Sequence, residues 1–140
     1  MDTLGKDFAA IKAQCFRGVA KIDLKALNFE HPLARKYHRG PSKKKVTVLK
    51  NIFRRTSCDR LTEEHFIKAI VDDDALADAL RVSSIDENTL RQKEDATKIP
   101  YLPITQVDCL DGLHRIRAAE QVLDPNDQWW TVKLYSKREF

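Results

Sequence analysis

The stretch from Pro100 to Tyr135 leaves this chain few architectures. Pro100 and Pro103 forbid a helix running through their positions, so Ile104–Leu110 is predicted as a strand. Asp111-Gly112 turns the chain, and a helix follows from Leu113 to about Leu123, where Pro125 and Asn126 break it. Trp129–Tyr135 then alternates, with Trp130, Val132 and Leu134 on one side and Trp129, Thr131, Lys133 and Tyr135 on the other. That period of two is a strand. Strand, helix and strand in so short a run require a sheet with a helix laid on its face.

The rest of the chain adds elements to that unit. Phe8, Ile11 and Cys15 recur at helical spacing and predict a short amphipathic helix over 3–16, which Gly18 stops. A strand over 19–24 places Ala20, Ile22 and Leu24 on one face. Residues 28–42, rich in proline and charge, read as a loop. Ser42 caps a helix from Lys43 to Arg55 with Val46, Leu49, Ile52 and Phe53 as its buried stripe. Thr62 starts another, whose apolar face is Phe66, Ile67, Ile70 and Val71. Helices follow over about Asp74–Arg81 and from Ser84 or Asp86 to about Glu94. The expected fold is α/β of the α+β kind: a single domain over 1–140 with a small mixed sheet and several helices, residues 1–17 carrying the N-terminal helix, and a longer parent protein left open.

Charge is segregated along the chain. Residues 35–60 hold ten Lys/Arg against Asp59, a net of +9, while residues 63–95 hold ten Asp/Glu against four Lys/Arg, a net of −6. The basic segment fits phosphates on a nucleotide or nucleic acid, or is a solvated surface against which the acidic half docks. Cys15, Cys58 and Cys109 stand at wide spacings with no CxxC, which predicts free thiols in a reducing compartment and no metal site. Asp72-Asp73-Asp74 reads as a helix junction with Asp73 or Asp74 as its cap. No apolar run reaches the length of a membrane span, so the expected location is intracellular, in nucleus or cytoplasm, with no membrane partner.

The motif with most chemistry is DCLDGLHRIRAAE, Asp108–Glu120. On a helix, Ile116, Ala119 and Leu123 share the core face, His114, Arg117 and Gln121 lie opposite, and Arg115 lies on the flank. A helix N-terminus already carries positive dipole, so cations in its first turns cost a few tenths of a kcal/mol each, up to roughly 1, unless an anion sits there. Gly112 leaves room at the helix mouth, and the first-turn N–H groups and Arg115 converge on that anion. Asp111 caps the helix, orients Arg115 or helps hold a phosphate-bound metal. An ordinary turn with Asp111 as cap and arginines at the surface accounts for the same residues.

DGLHRIRAA resembles the G-x-R-R-x-R-A phosphate-binding motif of the ParB N-terminal domain, and the G-C-H-R motif of sulfiredoxin. More broadly, FRGVAKIDL, VTVLKNIF, CDRLTEEHFIKAI, CLDGLHRIRAA and QWWTVKLY resemble an uncharacterised fungal domain family, over most of residues 15–135. The superfamily resemblance implies a ParB N-terminal/sulfiredoxin-like fold. It also implies a nucleotide-binding site in which Asp111, Gly112, Leu113, His114 and Arg115 hold phosphates, Arg117 assists, and Arg35 after the first strand adds a contact. Leu113 replaces the cysteine that sulfiredoxin carries before His-Arg, so sulfinic-acid repair is not expected.

The expected function is binding of a nucleoside triphosphate with Mg²⁺ at the N-terminus of the 113–123 helix, with hydrolysis or phosphoryl transfer left open and no catalytic base assigned. The alternatives are a nucleic-acid (DNA or RNA) module using Lys43, Lys44, Lys45, Arg54 and Arg55, and an interaction domain in which the site has degenerated.

Overall fold

The computed structural model describes residues 15–31, 42–91 and 98–137. The predicted 3–16 helix, Arg35 and the end of the helix expected to reach Glu94 lie outside the described residues, wholly or in large part.

Five strands form one mixed sheet: β1 (Phe16–Asp23), β2 (Leu27–Asn28), β3 (Ile67–Val71), β4 (Val107–Cys109) and β5 (Trp129–Ser136). Their spatial order is β1-β5-β3-β4-β2. β1 and β5 are antiparallel, β5 and β3 parallel, β3 and β4 antiparallel, and β4 and β2 parallel. Among the described residues four α-helices accompany them: α1 (Lys43–Arg55), α2 (Asp73–Ser83), α3 (Glu87–Arg91) and α4 (Leu113–Val122). The architecture is a small α+β fold with a mixed sheet.

Strand alternation decides what each face of the sheet buries. Ala20 and Ile22 of β1, Ile67, Ala69 and Val71 of β3, and Trp130, Val132 and Leu134 of β5 enter the main core. Leu76, Ala79 and Leu80 of α2, Leu90 of α3 and Ile116 and Ala119 of α4 meet them there. The opposite face buries a smaller cluster of Cys15, Ile70 and Tyr135. Trp130 is fully buried, and its indole Nε1 donates to the His65 carbonyl at 2.9 Å, so its polar atom is satisfied.

Four expectations need correction. Phe66–Val71 is not a helix: Glu63–His65 form a single 3₁₀ turn, and Ile67–Val71 is the middle strand of the sheet. Ile67, Ala69, Ile70 and Val71 are all buried, because a central strand is covered on both faces, and a continuous apolar run carries no diagnostic period. Gly18 does not end a helix but lies inside β1, which already begins at Phe16. There φ is 136° beside a register shift, and a Cβ would strike the Leu90 carbonyl of α3. The strand expected over Ile104–Leu110 shrinks to Val107–Cys109. The chain before it is spent on β1, where Lys21 donates to the Pro100 carbonyl at 2.8 Å and accepts from Leu102 N–H at 3.0 Å. Finally, Ile52 does not join the buried stripe of α1 and remains 47% exposed, while Val46 is buried and Phe53 packs on Trp130 at 6.1 Å.

Candidate functional site: a cationic cleft between two helix N-termini

The Asp-Gly turn is set by the sheet. Leu110 N–H donates to the Lys68 carbonyl at 2.8 Å, and Asp111 Oδ1 accepts from Lys68 N–H at 2.9 Å. The Asp111 carboxylate thus extends the β3–β4 ladder by one step. It does not cap α4: the N-cap is Gly112, with no side-chain cap bond. Gly112 has φ 85°, and a Cβ there would sit 2.5 Å from Ile67 Cγ1. Only glycine suits both the left-handed backbone and the contact with β3.

Helix α4 begins from that anchor. Its first intrahelical bond runs from Ile116 N–H to the Gly112 carbonyl at 3.0 Å, so the N–H groups of Leu113, His114 and Arg115 precede the helical ladder. Its first turn holds no acid. Helix α1 meets it through its own start. Ser42 N–H donates to His114 Nε2 at 3.0 Å, which makes that ring nitrogen an acceptor. The Ser42 hydroxyl accepts from Lys45 N–H at 3.4 Å as a long cap. The first turn of α1 is Lys43-Lys44-Lys45, again without an acid.

Between these two helix starts lies an open cleft of about 750 Å³. Lys44, Lys45, Val48 and Leu49 of α1 line one wall, and Asp111 to Arg115 line the other. The Arg115 guanidinium reaches the His65 carbonyl at 3.5 Å, a weak restraint that steadies the side chain. The side-chain ammonium groups of Lys44 and Lys45 have no hydrogen-bond or ion-pair partner among the described residues. The cleft therefore combines three flexible or lightly held cations, two helix dipoles of the same sign and one carboxylate already engaged by backbone. Its field favours an anion.

The structure unites some predicted residues and separates others. Asp111, Gly112, Leu113, His114 and Arg115 all line the cleft, together with Lys44 and Lys45, which were expected to serve a separate surface. Arg117 does not line it: its guanidinium pairs with Glu120 at 2.9 Å and lies over the Phe29 ring at 5.8 Å. Lys43, Arg54 and Arg55 are exposed on α1 outside the cleft. Val48 was missed. It is apolar yet 51% exposed, and only the position of α4 shows why.

Several other polar and ionisable side chains are engaged by the fold. Arg60 donates to the Asp127 carboxylate at 2.9 Å and lies 3.7 Å over the Trp129 ring, so it staples the loop before β5. Its hydrogen bond holds the Asp127 carboxyl below its usual range. His65 Nδ1 contacts the Asp59 carbonyl at 3.0 Å, and Glu63 pairs with Lys133 at 3.1 Å. Asp72-Asp73-Asp74 opens α2 as a junction, but the cap is Asp72 rather than Asp73 or Asp74. Cys109 is fully buried on β4, and burial pushes its thiol far up, so it offers no nucleophile beside Leu113. Burial likewise pushes the Cys58 thiol up to about 11. Among the described residues no helix is long and apolar enough to cross a membrane, and no three His, Cys, Asp or Glu side chains group as metal ligands.

Fold and site together define a small α+β domain with a cationic cleft built where two helices begin. The chain belongs to the family described as the N-terminal domain of a protein of unknown function (DUF3723), which it matches over residues 15–139. No curated protein and no solved structure matches the chain.

Proposed function

We propose that the cleft between α1 and α4 binds a nucleoside triphosphate, its phosphates seated on the first turn of α4. One observation carries this reading: the α1 lysines and the α4 mouth, far apart in sequence, line the same cleft with cations where a ligand-free helix start favours acids. Its volume is in the range of small-ligand sites. Gly112 gives backbone access, the N–H groups of Leu113 to Arg115 donate to phosphate oxygens, and Arg115, Lys44 and Lys45 neutralise them. The likeness of DGLHRIRAA to the ParB and sulfiredoxin phosphate motifs supports the same assignment, with Arg117 removed from it.

Mg²⁺ suits this site only as the companion of the triphosphate. Asp111 is the one carboxylate among the described lining residues, and Mg²⁺ commonly takes one or two carboxylates with phosphate oxygens and water. No described lining residue is placed as a general base, since Asp111 is bound by Lys68 N–H and His114 Nε2 accepts from Ser42. The reading is binding, and turnover would rest on charge neutralisation and positioning alone.

Isothermal titration with ATP, CTP, GTP and UTP in Mg²⁺ tests it. Saturable binding reduced at least about tenfold by Arg115→Ala is expected, as loss of one charge-assisted contact implies. Unchanged affinity in a folded Arg115→Ala protein removes the site.

A second reading has its own observation. Lys43, Lys50 and Arg54 fall on the flank of α1 away from the cleft and have no ion-pair partner among the described residues. That line fits a nucleic-acid backbone held without sequence preference. It predicts DNA or RNA binding that weakens steeply with salt and responds to Lys43, Lys50 and Arg54 rather than to Arg115.

A further inference from the structure

Helix α1 carries two large aliphatic side chains that its packing does not use. Val48 is 51% exposed and Ile52 47% exposed, while Val46 is buried and Leu49 and Phe53 are half-buried on the inner side. At 100° per residue, Val48 and Ile52 stand only 40° apart and one turn apart. Val48 follows Lys44 on the flank that looks into the cleft, where Val48 and Leu49 form the wall, and Ile52 continues that flank one turn beyond the described lining. The stripe thus runs from cation to aliphatic along one side of the helix. From Lys44 to Ile52 it spans about 12 Å by helical rise. The alignment of Val48 and Ile52 with Lys44 on one flank asks for an account that joins cation and aliphatic. A ligand with an anionic end and an apolar body supplies one.

Resting on the nucleotide reading above, we propose that Val48 and Ile52 are the seat of the ligand's base and ribose, with the phosphates at Lys44, Lys45 and Arg115. The aliphatic shelf covers one π-face of the base and excludes water from it, and the phosphate end fixes which way the nucleotide lies. The site then distinguishes a nucleotide from inorganic polyphosphate, which the cations alone do not.

The experiment compares ATP with inorganic tripolyphosphate, each with Mg²⁺, on the wild-type chain and on the Val48→Ser/Ile52→Ser double variant. Both positions are exposed, so the variant is expected to fold, and circular dichroism checks that. Wild type should bind ATP about tenfold tighter than tripolyphosphate, the effect of removing one base face from water. The double variant should lose that preference while binding tripolyphosphate as before. If wild type binds both equally, or the variant keeps its preference, the shelf assignment is wrong and the phosphate site stands. If wild type binds neither, the nucleotide reading itself fails and the shelf with it. Capture by phosphatidylserine vesicles without ATP binding would give the same stripe to a lipid surface and overturn the proposal.

Discussion

Helix α2 and the pair α1 and α4 begin in opposite ways. The Asp72 carboxylate caps α2 by accepting from Ala75 N–H at 3.1 Å, and Asp73 and Asp74 fill its first turn. Acid meets positive dipole, and nothing further is required of the solvent. Helix α1 opens on three lysines, and α4 opens on glycine, histidine and arginine. Each of these starts adds positive charge to the positive end of a dipole. Standing alone, either is a small defect of a few tenths of a kcal/mol per charge. Facing each other across one cleft, they form a field that an anion relieves. The same chain opens α2 in line with the dipole and α1 and α4 against it, and the proposed anion site rests on that contrast.

The largest effect that sharpens this contrast is at Gly112. Gly112→Ala forces a side chain into a left-handed backbone and against Ile67 of the central strand. A loss of about 2–3 kcal/mol in stability is expected from the strain and overpacking together, read from urea denaturation. A loss below about 0.5 kcal/mol would mean that β3 yields easily, and the rigid anchoring of the α4 mouth would be wrong.

Asp72→Ala comes next. Removing a side-chain cap costs about 1 kcal/mol, so thermal unfolding should shift down by several degrees. The mirror experiment is Lys44→Glu, which places an acid in the first turn of α1. It should stabilise the ligand-free chain by roughly 0.3–1 kcal/mol while weakening ATP binding. Stability rising as binding falls is the signature of a helix start shaped for a ligand. If Lys44→Glu destabilises the ligand-free chain, the lysine serves the fold and the contrast with α2 collapses.

How far this was legible in the sequence differs between the same regions. Pro100, Pro103, Asp111-Gly112 and Pro125 punctuate the C-terminal part so firmly that α4 and β5 emerge within one residue of their bounds. The cap of α1 at Ser42 and the acidic start of α2 were equally local signals. β3 was not legible, because burial on both faces erases the alternation that identifies a strand. For the site, the α4 mouth was readable as a mismatch of charge and dipole. Its union with Lys44 and Lys45 was not, since it depends on the long-range bond between Ser42 and His114. Arg117 falls outside the described lining because its guanidinium pairs with Glu120, inside the motif, and lies over Phe29, far from it in sequence.

The smallest expected effect sets the cleft against the Arg60–Asp127–Trp129 corner, where a cation already has its anion. Hydrogen bonding to Arg60 holds the Asp127 carboxyl below its ordinary value of 3.8. A carboxyl depressed on folding adds stability at pH values above its unfolded pKa and loses it as the pH falls through the lower folded pKa. Stability should therefore decline as pH drops below about 4, and Asp127→Asn should flatten part of that decline. The Asp127 side chain is half exposed, although Arg60 is largely buried, so the change is modest and shrinks with added salt. Around neutral pH the corner should be indifferent to added tripolyphosphate, whereas the cleft should gain thermal stability from it, because ligand that binds only the folded state stabilises by mass action. Thermal shift of Asp127→Asn and Arg115→Ala proteins, with and without tripolyphosphate, separates the two. The gain should survive in Asp127→Asn and fall in Arg115→Ala. A gain that survives equally in both would mean that the anion binds elsewhere and that α1 and α4 differ from α2 in charge alone.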